Sequence, residues 1–154
     1  MCTEEELFLM RRTFHLAETA FNNPLRRPIG AVIVSNHAII SEGVSATREL
    51  TDPTAHAEIV AIRKACIIFK SKYLHDCEIY VSVQPCSMCL SAILWAEIPK
   101  LYYACGREYT KMKGFRDTEI LEQICLPSHK NILITNRLLE EEGRALLNKW
   151  KLNN

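Results

Sequence analysis

Two short stretches constrain the fold of this chain more than any others. The first is Pro53-Thr54-Ala55-His56-Ala57-Glu58. The second, Pro85-Cys86-Ser87-Met88-Cys89, follows about thirty residues later. One imidazole and two thiols are borderline-to-soft ligands, the set a zinc ion takes when its fourth position is left to water. Cys86 and Cys89 are three apart, so at a helix start both sulfurs can point at one ion. Between the stretches runs a stripe at helical spacing, Ile59, Val60, Ile62, Ala65, Cys66 and Phe69, followed by the nearly continuous apolar run Cys77 to Val83. A helix and then a strand place each stretch at the N-terminus of a helix. There the helix dipole and free amide hydrogens favour the thiolates that zinc requires.

The rest of the chain supplies the layers. Glu4 to Phe21 reads as an amphipathic helix with glutamates in its first turn, ended by Asn22-Asn23-Pro24. Ile29 to Ser35 and Ala38 to Glu42 read as strands joined at Asn36-His37, a tight hairpin turn. Gly43 to Asp52 reads as a loop. Asp52 or Thr54 is placed to cap the next helix, with Pro53 in its first turn. Cys77 to Val83 suits a central strand covered on both faces. Cys86 to Ala96 is the next helix, and Leu101 to Cys105 a fourth strand. A short helix is expected around Thr118 to Ile124, a fifth strand at Asn131 to Thr135, and a closing helix over Leu138 to Leu152 with Leu139, Leu146 and Trp150 on one side. Strands alternating with helices predict an α/β fold, a three-layer α/β/α sandwich on a mixed five-stranded sheet, with residues 1–154 forming a single domain.

Composition narrows the function classes. A chain of 154 residues suits one domain with a real core, and its net charge of +1 lacks the basic excess usual in domains that grip nucleic acid. No apolar run is long enough for a membrane span, and the start Met1-Cys2-Thr3-Glu4-Glu5-Glu6 is acidic, unlike a secretory signal, so a cytoplasmic protein is expected. Seven cysteines in that compartment do not predict disulfides. Cys66, Cys77 and Cys105 sit among apolar residues and read as small buried hydrophobes, whereas Cys2 and Cys125 carry no signal. Arg26 and Arg27 read as a solvated loop pair, with contact to a phosphate or an acidic partner as the alternative.

A site of two thiolates and one neutral histidine gives zinc about zero net charge and still draws the pKa of a bound water toward roughly 7. Glu58 is then placed to handle that water's proton. The competing reading is a structural zinc closed by a fourth protein ligand, which would have to be Glu58, His75 or His129. A non-catalytic, zinc-stabilised binding module also fits that reading.

The order H-x-E followed by P-C-x-x-C resembles the signature of the zinc nucleobase deaminases. Pro28-Ile29-Gly30-Ala31-Val32-Ile33-Val34, Asp52 to Ile59 and Gln84-Pro85-Cys86-Ser87-Met88-Cys89 resemble the cytidine deaminase superfamily, in the branch that holds guanine deaminases, tRNA adenosine deaminases and fungal-type cytosine deaminases. The resemblance runs from about Pro28 to Phe115. It implies Zn2+ held by His56, Cys86 and Cys89, with Glu58 as the proton shuttle. His56 and Glu58, two apart, would lie on nearly opposite sides of a helix. They share a site only if the metal lies off the helix's N-terminal end, which the resemblance supplies.

Ala61-Ile62-Arg63-Lys64-Ala65-Cys66, Trp95-Ala96 and Gly114-Phe115-Arg116-Asp117 look closest to bacterial guanine deaminases. That likeness implies a purine nucleobase substrate, guanine going to xanthine and ammonia, and a homodimer. It gives Asp117 a catalytic part in moving a proton to the leaving amine, and makes Ile29, Ser45, Ala57 and Trp95 substrate contacts. Two positions depart from it. Ser45 stands where the family usually has an asparagine that hydrogen-bonds the base, and Ile29 stands where the guanine group tends to have an aromatic. A hydroxyl offers less than an amide's donors and acceptor. Both departures fall on substrate contacts and neither on the zinc, so a tRNA adenosine deaminase and a cytosine or other pyrimidine-type deaminase stay open as alternatives. The first would need a basic footprint from Arg26, Arg27, Arg107, Lys111, Lys113 and Arg116.

Overall fold

The computed structural model describes residues 2–127, 130 and 132–149. The chain divides into two compact units, Met1–Leu121 and Glu122–Asn154. The first carries α1 (Glu4–Thr19), β1 (Arg27–Ser35), β2 (Ala38–Ser45), α2 (Ala57–Phe69), β3 (Cys77–Val83), α3 (Ser87–Trp95), β4 (Lys100–Cys105) and α4 (Arg107–Met112), and α5 (Asp117–Cys125) begins in it. The second contains α6 (Glu140–Lys149).

The sheet has four strands in the order β2-β1-β3-β4. β1 runs antiparallel to β2 and β3, and β3 and β4 are parallel. The two-residue period of a strand sorts β1 and β3 between two cores. Ile29, Ala31, Ile33, Ile79 and Val81 pack with Ala61, Ile62 and Ala65 of α2 and Ile93 of α3. Val32, Val34 and Tyr80 pack with Leu9 and Leu16 of α1 on the opposite face. The result is the expected α/β/α layering, with both faces of the central strands covered.

Local chemistry fixes the element ends. Thr3 and Glu6 form a capping box at α1: the Glu6 amide donates to Thr3 Oγ1 (3.1 Å) and the Thr3 amide to the Glu6 carboxylate (2.7 Å). The β1–β2 turn places Asn36 and His37 at φ 48° and 63°, both left-handed, as a type I′ hairpin requires. The exposed His37 imidazole pairs with Glu5 at 2.8 Å.

The structure differs from the sequence expectations in five main places. β1 begins at Arg27, not Ile29, so Arg27, read as a loop residue, pairs with Ser45 in the sheet. β2 continues past Glu42 to Ser45, because Gly43, Val44 and Ser45 keep pairing with β1. α2 starts at Ala57, not near Thr54. Asp52 instead accepts from the Thr54 amide (2.8 Å) and hydroxyl (2.7 Å), which fixes the loop before the helix. α4 was not foreseen, since its six residues carry no apolar stripe. The sheet has four strands where five were expected. Residues 132–135 form no strand, and Ile132, Leu133 and Ile134 are 73%, 66% and 93% exposed. β-propensity produces a strand only where a paired, half-buried surface exists. Asn131, His129, Trp150 and Leu152 lie outside the described residues.

Gly43 marks where β2 touches α2. A Cβ there would collide with the Ala57 backbone carbonyl at the helix start. Gly43→Ala is therefore expected to cost about 3 kcal/mol through backbone displacement, measured as the shift in the urea midpoint. A loss below about 0.5 kcal/mol would show that the strand–helix approach is not tight. Among the described residues, no helix is long and apolar enough to cross a membrane.

Candidate active site

The site is built on two helix starts and the strand end between them. His56 occupies the N-cap position of α2 and Cys86 that of α3. Both have extended backbone (φ −70°, ψ 159° and φ −68°, ψ 171°), and neither side chain makes a capping hydrogen bond. Freed from capping, both side chains turn off the helix ends toward one another. Cys89, one turn into α3, is fully buried and completes the group.

The spacing fits zinc. The His56 Nδ1 lies 3.6 Å from Cys86 Sγ and 3.5 Å from Cys89 Sγ. Zn–N near 2.0–2.1 Å and Zn–S near 2.3 Å at tetrahedral angles put a nitrogen and a sulfur about 3.5 Å apart. The three ligand atoms all fall within 4.8 Å of each other, and they are the one such group of three or more metal-binding side chains among the described residues. Three ligands of this type leave a fourth position open, as in catalytic and not structural sites. His75, a candidate for closing the site, instead pairs with Glu97 at 3.2 Å.

The electrostatics agree with that donor set. The Cys86 thiol is pushed down to about 4, first by a hydrogen bond from Cys89 and then, against the cost of burial, by His56. Cys89 is pushed up, because it shares its proton with Cys86 and is itself buried. The His56 pKa is raised, first by the Cys86 hydrogen bond.

Glu58 lies beside this group at 3% exposure. Burial is the first cause holding its pKa above the usual carboxylate range, and the Cys86 charge adds to it. The helix start resolves the geometric problem of His56 and Glu58. The histidine is the N-cap and the glutamate the second helical residue, so both reach the space off the helix end.

Asp117 opens α5 and is half-buried. Its pKa is raised, first by burial and then by the Cys86 charge, while His56, Arg107 and Arg27 oppose the rise. Asp117 is therefore within electrostatic reach of the ligand cluster. Ile29 and Ala57 are buried in the core facing α2, and Ser45 is buried at the end of β2. Trp95 is not brought to the cluster. It is the last residue of α3, 83% exposed, and about 13 Å along the helix from Cys86. It borders a separate hollow of about 340 Å³ with Tyr73 and Leu94.

Two arginines near the site were missed as members of it. The Arg27 guanidinium stacks 4.8 Å from the centroid of the Phe115 ring. Arg107 donates through Nη2 to the Pro85 carbonyl at 3.0 Å, and its amide donates to Gln84 Oε1 at 3.2 Å. No spacing rule marks either residue. Only the parallel pairing of β3 and β4, which sets Val83 beside Cys105, carries Arg107 to the turn before Cys86.

Comparison with known proteins matches this arrangement. The family described as "Cytidine and deoxycytidylate deaminase zinc-binding region" matches residues 3–105. The guanine deaminase of Bacillus subtilis is 38% identical over 146 residues, covering 95% of this chain and 93% of that protein. The tRNA-specific adenosine deaminase of Aquifex aeolicus is 46% identical over 77 residues, covering 50% of this chain and 51% of that protein. The X-ray structure of the Bacillus subtilis guanine deaminase superimposes with a TM-score of 0.88 at 34% identity, covering 99% of this chain and 98% of that one. With the open three-ligand zinc site at two helix starts and a buried carboxylate beside it, the chain belongs to the cytidine and deoxycytidylate deaminase family.

Proposed function

We propose that the chain is a zinc-dependent hydrolytic deaminase of a free purine base, converting guanine to xanthine and ammonia. The observation that carries this reading is the length of the likeness. The match to the Bacillus subtilis guanine deaminase covers 95% of the chain at 38% identity, whereas the tRNA-specific adenosine deaminases match either over less of the chain (50% for Aquifex aeolicus) or at lower identity (34% over 80% for Buchnera aphidicola). The net charge of +1 also supports a small neutral substrate over a polyanion.

When bound by His56, Cys86 and Cys89, zinc supplies a Lewis acid that makes a water acidic enough to attack at neutral pH. The Glu58 carboxylate takes a proton from the attacking water and delivers it to the ring nitrogen beside the amine-bearing carbon. Water's oxygen ends on that carbon, and the carbon–nitrogen bond to the exocyclic amine breaks. Asp117 passes a proton from the hydroxyl now on that carbon to the amine, which departs as ammonia. Ile29, Ser45 and Ala57 hold the base, and Trp95 would reach a base only from a partner subunit. The working unit in this reading is a cytoplasmic homodimer of one deaminase domain, residues 1–154.

The test is ammonia release by zinc-loaded protein from guanine, guanosine, adenine, cytosine, cytidine, isocytosine and a tRNA anticodon stem-loop. Guanine is expected to be turned over at least tenfold faster, in kcat/KM, than any other compound. Release from another compound with none from guanine rejects the substrate. Ser45 gives that second outcome a physical basis, since a site that loses one base-edge hydrogen bond discriminates differently.

A further inference from the structure

The two arginines that lead into the sheet do different things. Arg26 donates to both carboxylate oxygens of Glu49, at 2.6 and 3.1 Å. Arg27 is exposed, and its guanidinium carbon lies 4.8 Å from the centre of the Phe115 ring. The strand aims Arg27 at that ring. Three steps along β1, from Arg27 to Gly30, meet one step along β2, from Ser45 to Val44. Pro28 falls inside this irregularity, where its missing N–H takes nothing from the ladder. A break in register of this kind bends a strand and re-aims the side chain beside it.

Phe115 is the anchor of the segment that follows α4. It is half-buried and packs against the core cluster to which Ile29, Ala57 and Ile62 belong. Its amide donates to the Thr110 carbonyl at 3.1 Å, so the closing turn of α4 carries the ring. The residues around it are exposed from Lys111 to Gly114 and again at Arg116, and no residue of α5 is buried among the described residues. Arg116 pairs with Glu119 at 3.0 Å, within the same segment. Asp117 follows Phe115 by two residues. A guanidinium over a ring at an exposed site favours the contact roughly two- to fivefold. A reacting group misplaced by about an ångström loses more than that in rate. One cation on one half-buried ring is therefore enough to govern where Asp117 stands.

We propose that Arg27 is a positioning residue: stacked on Phe115, it clasps the segment that carries Asp117 to the start of β1 and holds that carboxylate in place for proton transfer. The stacking is made without a base in the site. Arg27 acts through Phe115 and Asp117 and does not touch the base. The effect on turnover rests on the deaminase reading above, whereas the clasp itself does not.

The test compares the zinc-loaded full chain as wild type, Arg27→Gln, Arg27→Lys, Phe115→Leu and the R27Q/F115L pair. The first readout uses no substrate. It is the rate of trypsin cleavage after Lys113 and Arg116, followed by mass spectrometry, which tracks opening of the segment. R27Q is expected to raise that rate roughly two- to fivefold, and R27K, which keeps a cation over the ring, to fall between R27Q and wild type. In the F115L background R27Q is expected to change it by less than about 1.5-fold. The second readout is turnover of whichever compound wild type deaminates fastest. R27Q is expected to lower kcat roughly three- to tenfold, with KM within about twofold and zinc content unchanged. In an Asp117→Asn background, R27Q is expected to change kcat by less than about 1.5-fold while cleavage still rises. Unchanged cleavage in R27Q, an equal rise in the F115L background, an unchanged kcat, a raised KM with kcat intact, loss of zinc, or an undiminished kcat loss in D117N each overturns the proposal. If wild type deaminates none of the compounds, the deaminase reading fails and the cleavage rates still decide whether Arg27 clasps Phe115.

Discussion

Glu58→Gln is expected to give a protein that keeps its zinc and loses roughly 10³- to 10⁴-fold in kcat. General acid–base transfer by one positioned side chain contributes 10²–10⁴-fold, and here one carboxylate handles the proton of the water and that of the ring. Gln is nearly the same size, so the substitution leaves the packing of a residue at 3% exposure in place and removes only the capacity to carry a proton. Zinc content by metal analysis and ammonia release together check the result. Kcat within tenfold of wild type would remove Glu58 from the mechanism. Zinc loss would instead make it a fourth ligand and the site a closed, structural one.

Cys89→Ala is expected to abolish zinc binding and activity together and to lower the thermal midpoint by about 10 °C relative to the zinc-loaded wild type. A ligand held a thousandfold above its dissociation constant adds about 4 kcal/mol to the native state. In a domain of this length that corresponds to about 10 °C. The two cores, one with Tyr80 against Leu9 and Leu16 and the other with Ile79 and Ile33 against Ala61, do not pass through the ligands. The metal-free chain should therefore stay folded, unlike a zinc finger, and chelation of wild type should reach nearly the midpoint of the variant. Midpoints of metal-loaded and chelated wild type within 2 °C would mean that the cluster holds its metal too weakly to serve as a resident site.

The sequence made the ligands legible because their chemistry is local. The pairs His56 and Glu58, and Cys86 and Cys89, each fall within one helical turn, and their residue types narrow the choice of metal. β3 was legible to the residue, since a central strand covered on both faces is apolar along most of its length, here broken only by Glu78 and Ser82. The strands at the edges of the pattern were not. β2 runs three residues beyond its expected end through pairing of Gly43 to Ser45, and the run containing Ile132 to Ile134 has strand-forming side chains without forming a strand. Those outcomes are set by partners far away in the chain. The same holds for the site's outer parts. Arg107 and Arg27 gain their meaning from β3–β4 pairing and from Phe115, neither of which has a spacing signature. Trp95, read as a pocket residue by likeness, stands at the far, exposed end of α3.

The start of α1 and the starts of α2 and α3 use the same position in opposite ways. Thr3 accepts from one of its helix's free amides, whereas His56 and Cys86 sit at the corresponding place and make no such capping bond. A serine, threonine or aspartate at such a position is worth about 1 kcal/mol. In a descendant released from selection for turnover, substitutions such as His56→Asp and Cys86→Ser would steady the metal-free fold as they erase the site. Decay of the activity would then be a downhill path, and each step along it would make recovery harder. Lineages that have abandoned the chemistry should be recognisable by ordinary caps at these two positions.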